Sequence, residues 1–473
     1  MTSRVMEKGM TAAVASLWAQ GEFGQAQLGD ERRTQRLVEM AADVAQKPAG
    51  KLTQVWEEGP ERQGAYRLLE SEAVEVEAMR SAALTAAFSR AKGPLVFVPT
   101  DGSALNVLAA RDKPLSKGFG PVGTAKSKAR GLEVVSALVL DDKGVPLGMG
   151  GQRYWAREGG RKEPAGNRPL EDKETRHTLE VFEQVLEARQ AAGYEGRVWF
   201  QHDRAGDNRD VLHWAVMTDA WVTVRAAQDR SVQWPLEGRL WEVMGAQQPL
   251  GTYKLKVPEG PKRSARKALL QVRAQSVVLP LAHHWTKKQQ PVEVFAVHAV
   301  EISPVPEGEE PIEWMLLTTC PVRGFAGARR VLKAYALRWR LEEVHKCWKS
   351  NCQVEKSNLH EAEHFIKWAT LLFCVAVRIE RLKRLAREAP ELPADVELSR
   401  WEIRGLLLRY DTQGLRRDDT PTIGQAVLWI ARLGGYSRSS GGPPGSITIG
   451  RGLKTLAIIA DDLQRLQELG LKM

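Results

Sequence analysis

Two short runs of bulky apolar residues, "PLVFVPTD" and "RVWFQHD", each close on an aspartate, Asp101 and Asp203. Such runs, rich in β-branched and aromatic residues and bounded by turn formers, read as buried strands. Buried strands that alternate with helical periodicity call for an α/β architecture. In an open α/β sheet the carboxyl ends of the strands line a common crevice. If the two strands are neighbours, Asp101 and Asp203 face each other. Two carboxylates that close cannot both ionise cheaply unless a cation sits between them, and hard oxygen donors suit Mg²⁺ or Mn²⁺. A strand-closing aspartate is also a common turn former, so position alone leaves both readings open.

The surrounding sequence extends this core. "GLEVVSALVLDDKGVPLGMGGQRYWAR" (131–157) holds two apolar runs joined by the turn DDKG, a hairpin pattern. Helical periodicity follows over 172–192, then a strand over 220–227. A β-rich stretch over about 230–320 has strands near 250–257, 268–279, 292–302 and 312–319 and reads as an insertion between two parts of one α/β core. Two long helices are predicted next, over 326–350 and 361–388. "REAPELPADVE" (387–397) reads as a linker, and the sequence beyond it is largely helical.

At the other end, residues 1 to 75 read as helical. "DERRTQRLVEMAADVAQ" opens on an Asp cap and sets Leu37, Met40, Ala41 and Val44 on one face. Arg32, Arg33 and Arg36 crowd its first turns, where basic charge opposes the helix dipole. They are either DNA-phosphate contacts or a solvated face. The domains expected are 1–75, 76–388 with the β-rich insertion, and 389–473.

Composition narrows the function classes. A chain of 473 residues exceeds one ordinary domain, and its formal net charge of +10 favours a polyanionic partner. The four cysteines form no CxxC pair, and His345, Cys347 and Cys352 fit no common ligand spacing, so neither a zinc ribbon nor a disulfide framework is indicated. The longest apolar run, Trp368–Val377, is too short to span a bilayer. No apolar signal core is seen at the start, which makes a cytoplasmic location the expectation.

The segment "YALRWRLEEVHKCWK" (Tyr335–Lys349) supplies the third chemical element. On one helix with Tyr335 at zero, Arg338 falls at about −60°, Glu342 at about −20° and Lys349 at about −40°. One stripe therefore carries a phenol, a carboxylate and two cations. Arg338 and Glu342 are an ordinary i,i+4 ion pair, which does not account for Tyr335 and Lys349 on the same line. Trp339 and Trp348 lie off it.

The spacing Y-(2)-R-(3)-E-(6)-K, made by Tyr335, Arg338, Glu342 and Lys349, resembles the signature of the IS-four family of bacterial DDE transposases. "LGDERRTQRL", "GAYRLL", "EWMLLT", "CVAVRI" and "IARLGGY" extend the resemblance in order over most of the chain. The resemblance implies an α/β fold with an RNase H-like catalytic core, a mixed sheet flanked by helices, between a helical N-terminal DNA-binding domain and a helical C-terminal domain. It implies a catalytic and metal-binding triad of Asp101, Asp203 and Glu342, with two Mg²⁺ ions per site and Mn²⁺ as a substitute. Tyr335, Arg338 and Lys349 would hold the phosphates and bases of a transposon end. Trp314 matches an aromatic that stacks near a flipped base, or packs at a strand edge, and Arg225 resembles a DNA-contacting arginine.

The implied reaction is two-metal phosphoryl transfer in a cut-and-paste cycle: a 3′ nick, a hairpin on the transposon end, hairpin opening, and joining of the 3′-OH to target DNA. The implied partners are double-stranded DNA, as inverted-repeat ends and as target, and a second copy in a dimer through the C-terminal helices. No membrane and no small-molecule substrate are expected, and the location would be the bacterial cytoplasm, on the nucleoid when bound to DNA. Two rivals are a non-catalytic DNA-binding regulator derived from such an enzyme and a structure-selective nuclease. The sequence departs from the family pattern at Asp101–Ser103, where Asp-Thr-Thr is usual, at Asp203–Ala205, where Asp-Arg-Glu is frequent, and at Val135, where a histidine is usual.

Overall fold

Of the helical region expected over 1–75, the segment opening on Asp30 forms where its cap and apolar spacing predict it, and residues 1–14 lie outside the described residues. The computed structural model describes residues 15–107, 118–123, 129–158, 168–257, 259, 264–282, 290–410, 419–437, 439 and 442–470. It begins with α1 (Ala15–Phe23), α2 (Glu31–Gln46), α3 (Leu52–Val55), α4 (Pro60–Glu70) and α5 (Val76–Ser89). Asp30 caps α2 by accepting from the Arg32 amide at 2.8 Å, which satisfies one orphan helix donor. Leu37, Met40, Ala41 and Val44 are all buried.

Next come β1 (Leu95–Asn106), β2 (Gly120–Pro121), β3 (Arg130–Leu140) and β4 (Pro146–Trp155). The β3–β4 hairpin turns as DDKG predicts. The Asp141 carboxylate accepts from the Lys143 and Val145 amides, and Gly144 takes the left-handed conformation at φ +78°. The chain continues through α6 (Thr175–Ala191), β5 (Arg197–His202), α7 (Arg209–Met217), β6 (Trp221–Arg225), β7 (Ser231–Val232), β8 (Gly238–Arg239), α8 (Leu240–Gly245), β9 (Gly251–Val257), β10 (Arg266–Leu279), β11 (Val292–Glu301) and β12 (Glu313–Thr318).

Ten of these strands form one mixed sheet in the order β2-β3-β1-β5-β6-β12-β11-β10-β9, with β4 also paired to β3. β4, β3 and β1 run antiparallel, and β1, β5 and β6 run parallel. β12 then pairs antiparallel with β6, so the strands read as an insertion continue the same sheet. Alternate β5 residues face opposite sides. Phe200 stacks on Phe182 of α6 with ring centroids 4.2 Å apart, while Arg330 lies over Trp199 on the other face.

Two expected boundaries move. β1 does not stop at Asp101. It loses β5 after Thr100 but keeps β3 as a partner out to Asn106, so its backbone groups stay paired. The helix expected over 326–350 is two helices, α9 (Gly324–Ala336) and α10 (Trp339–Ser350). Between them the Leu337 and Arg338 amides bond three residues back, to Ala334 and Tyr335, a local 3₁₀ tightening.

The last helices are α11 (Ala362–Glu388), α12 (Arg400–Arg409), α13 (Ile423–Leu433) and α14 (Ser446–Glu468). α11 carries the apolar run, and Phe365, Trp368 and Phe373 are fully buried in it. No helix among the described residues is long and apolar enough to cross a membrane. The segment read as a linker is pinned: the Ala394 amide donates to the Pro421 carbonyl at 2.9 Å, and Arg381 holds Glu397 at 2.6 Å. One buried apolar cluster runs from Ala19 of α1 through the sheet to Leu456 of α14.

Candidate active site

The parallel register of β1 and β5 aligns Thr100 with His202, so Asp101, still within β1, and Asp203, just past the end of β5, stand at the same level on neighbouring strands. Adjacent strands lie about 4.8 Å apart. α10 begins above them. Arg338, at the tightened turn, donates from Nη1 to Asp101 Oδ2 at 2.8 Å and from Nη2 to Glu342 Oε1. One guanidinium therefore spans carboxylates 241 positions apart in the chain, Asp101 and Glu342.

The three acids respond differently to this setting. Burial pushes Asp101 above the usual carboxylate range, with Arg338 pulling down and Asp203 pushing up. Glu342 is likewise raised, by burial first, against Arg338, and with both Asp101 and Asp203 adding repulsion. Burial also works against ionisation of Asp203, but the hydrogen bond and charge of His202 and the Ala205 amide outweigh it and hold Asp203 at about 2. Mutual repulsion across all three carboxylates places them in one electrostatic unit. Arg338 is held firmly charged: burial opposes the charge, and Asp101, Tyr335 and Glu342 restore it.

Around this unit stand other residues the sequence singled out. Tyr335 is buried, with its ring edge-on to Trp314 at a centroid distance of 5.2 Å. Burial raises its phenol pKa, opposed by Arg338 and Arg225. Arg225 sits on β6 opposite Leu316 and donates to the Glu313 carbonyl at 2.9 Å. Lys349, farther along α10, donates to the Ala104 carbonyl at 2.7 Å and lies 3.7 Å from Glu355. Trp339 is 48% exposed beside Arg338, whereas Trp348 is buried. Glu343 turns away and pairs with Arg384 and Lys383 of α11.

One residue escaped the sequence reading. His202 donates from Nδ1 to Asp203 Oδ1 at 2.9 Å. Its only signal was adjacency to the aspartate. As for the sequence departures, a Cβ at Gly102 would meet only the Val134 carbonyl, at 4.0 Å, so nothing steric demands glycine there. Val135 is buried opposite Gly102 on β3.

The three arginines of α2 share no contact with this cluster among the described residues. Arg32 is exposed. Arg33 donates to the Leu28 carbonyl at 3.0 Å. Arg36 donates to the Glu61 carbonyl at 2.6 Å and pairs with Glu39 at 3.2 Å. Two of the three therefore brace the fold around them.

Residues 15–74 match the family model described as transposase DNA-binding. This transposase DNA-binding segment spans α1 to α4 and contains all three arginines. The match supports a transposase DNA-binding role for this segment. It holds seven Lys and Arg against ten Asp and Glu, so the basic surplus of the chain lies outside it. It is fastened to α11: Lys367 Nζ donates to the Leu69 and Ser71 carbonyls, and Trp368 Nε1 to the Gly50 carbonyl at 2.7 Å. Among the described residues, no group of three or more His, Cys, Asp or Glu side chains converges closely enough to hold a metal ion.

Proposed function

We propose that the chain is a DDE transposase of the IS-four kind, which binds transposon ends, cleaves them and joins the 3′-OH ends to target DNA. The observation that carries this reading is the cluster of Asp101, Asp203 and Glu342, drawn from β1, the end of β5 and α10, in a chain whose N-terminal segment is of the transposase DNA-binding type. The mixed sheet, antiparallel through β4, β3 and β1 and then parallel through β5 and β6, supports an RNase H-like core.

Three carboxylates are the donor type that hard divalent cations take, although in this arrangement Arg338 stands between Asp101 and Glu342 and the three do not converge closely enough to hold one. Three carboxylates repel one another, and two are raised by burial, so positive charge among them is favourable. Asp101, Asp203 and Glu342 would hold Mg²⁺ or Mn²⁺, which when bound would supply charge neutralisation and an activated water or 3′-OH. Arg338 supplies the cation between Asp101 and Glu342 in this arrangement, and its release frees one oxygen on each. Freed, Arg338 offers a planar fork suited to phosphate. Tyr335 and Lys349 flank it, and the Trp314 edge is available to an unstacked base. A homodimer is part of the proposal, and exposed Ile458 and Leu466 on α14 offer an apolar surface for it.

The guanidinium bridge is also the specific observation favouring a non-catalytic DNA-binding protein, in which Arg338 would be a permanent counterion. An assay with the coding segment and its own flanking DNA as donor, plus a target plasmid, separates the readings. A transposase gives joined products with Mg²⁺, a nuclease gives breaks without joints, and a regulator gives retention alone.

A further inference from the structure

His202 is buried, and its ring makes one hydrogen bond to protein, from Nδ1 to Asp203 Oδ1; Nε2 is buried without a protein partner among the described residues. The ring lies tight against Gly206, where an added Cβ would come within 2.7 Å of His202 Cβ and Cγ and 3.0 Å of Nδ1. A phenylalanine or leucine would fill such a site without stranding a polar atom, so a histidine here calls for a reason.

Asp203 supplies it. Its Oδ1 accepts twice, from His202 Nδ1 at 2.9 Å and from the Ala205 amide at 2.8 Å. Oδ2 receives no hydrogen bond from the described residues. An ionised carboxylate is acceptor-only, so the shared proton belongs to Nδ1. With both donors on one oxygen, the carboxylate is fixed in rotation and presents the other. Ligating carboxylates are commonly oriented by such outer partners, whose loss weakens metal binding without touching the ligands.

We propose that His202 is a positioning residue that locks Oδ1 of Asp203 and leaves Oδ2 as the single oxygen offered to a divalent cation. This rests on the reading of Asp203 as a cation ligand. It assigns a role to a residue outside the three carboxylates. It also ties the "QHD" sequence to the glycine at 206, whose missing Cβ lets the ring lie where Nδ1 reaches the carboxylate.

The test is Mn²⁺ binding to the full chain, read by the electron paramagnetic resonance signal of free Mn²⁺, with urea midpoints measured in parallel. H202F removes the donor and keeps a ring. H202N keeps a donor the same number of bonds from the backbone. H202F should weaken Mn²⁺ binding by about 10- to 100-fold, with a urea midpoint no lower than that of the parent chain. H202N should bind within a few-fold of the parent, about threefold at most on the same scale. If H202N is as weak as H202F, the ring and not the proton matters, and the proposal falls. If H202F binds like the parent while D203N loses binding, the proposal falls and the cation site stands. If D203N itself binds like the parent, the ligand reading fails and takes the proposal with it.

Discussion

Replacing Arg338 with Gln removes the cation that, among the described residues, bridges Asp101 and Glu342. Asp101 and Glu342 already stand above the ordinary range near 4 to 4.5 because burial disfavours their charge. Arg338 is the strongest influence pulling both back down. Stranding a fully buried charge costs about 3–5 kcal/mol, and an exposed pair is worth about 0–1 kcal/mol. The side chains here keep 15% of their exposure at Arg338, 18% at Asp101 and 30% at Glu342, between those limits. A loss of about 1–3 kcal/mol near pH 8 is therefore expected for R338Q.

The pH dependence has a fixed sign. A carboxyl whose pKa is raised on folding binds its proton more tightly in the folded state, so its contribution to stability falls as pH rises from the unfolded to the folded value. Removing Arg338 raises both folded values further. The gap between R338Q and the parent should be small near pH 3.5, widen above about pH 4, and level off once both carboxyls are ionised in the folded chain. Urea midpoints across pH 3.5 to 8 measure it. Mn²⁺ should restore more stability to R338Q than to the parent, since ligand that binds only the folded state stabilises it by mass action. Equal midpoints at pH 8, or a gap independent of pH, would refute the reasoning.

Three further outcomes follow from named contacts. R32A should weaken DNA binding and lower the magnitude of the salt slope by about one unit with little change in stability, as read by fluorescence anisotropy across salt. R36A should instead lower stability by about 1–2 kcal/mol, because its hydrogen bond to the Glu61 carbonyl is lost. K367M strands the Leu69 and Ser71 carbonyls at a site where Lys367 is fully buried, so limited proteolysis should cut between the DNA-binding segment and α5 faster than in the parent.

What the sequence made legible was local. The DDKG turn, the Asp30 cap and the two apolar runs ending near Asp101 and Asp203 each act within a few residues, where propensity and hydrogen bonding decide. Contacts between distant segments were beyond such a reading. Thr223 meets Thr318 at 2.8 Å and joins the β-rich stretch to the core sheet, a pairing that no local pattern encodes. The tightened turn at Leu337 and Arg338 accompanies the reach of Arg338 to Asp101, a contact made only in three dimensions. Arg33 and Arg36 looked like free cations because the carbonyls that take them up lie outside α2, Leu28 in the loop before it and Glu61 in the first turn of α4. The acid-rich segment at 387–397 had a linker's composition, but Arg381 and the Pro421 carbonyl hold it down.

The most direct test of the central claim is the Mg²⁺-dependent cleavage and joining assay on DNA carrying the flanking ends, run with E342Q beside the parent chain. E342Q should retain the DNA in a mobility shift within a few-fold of the parent yet yield neither breaks nor joints. Cleavage by E342Q at the parental rate would contradict the claim.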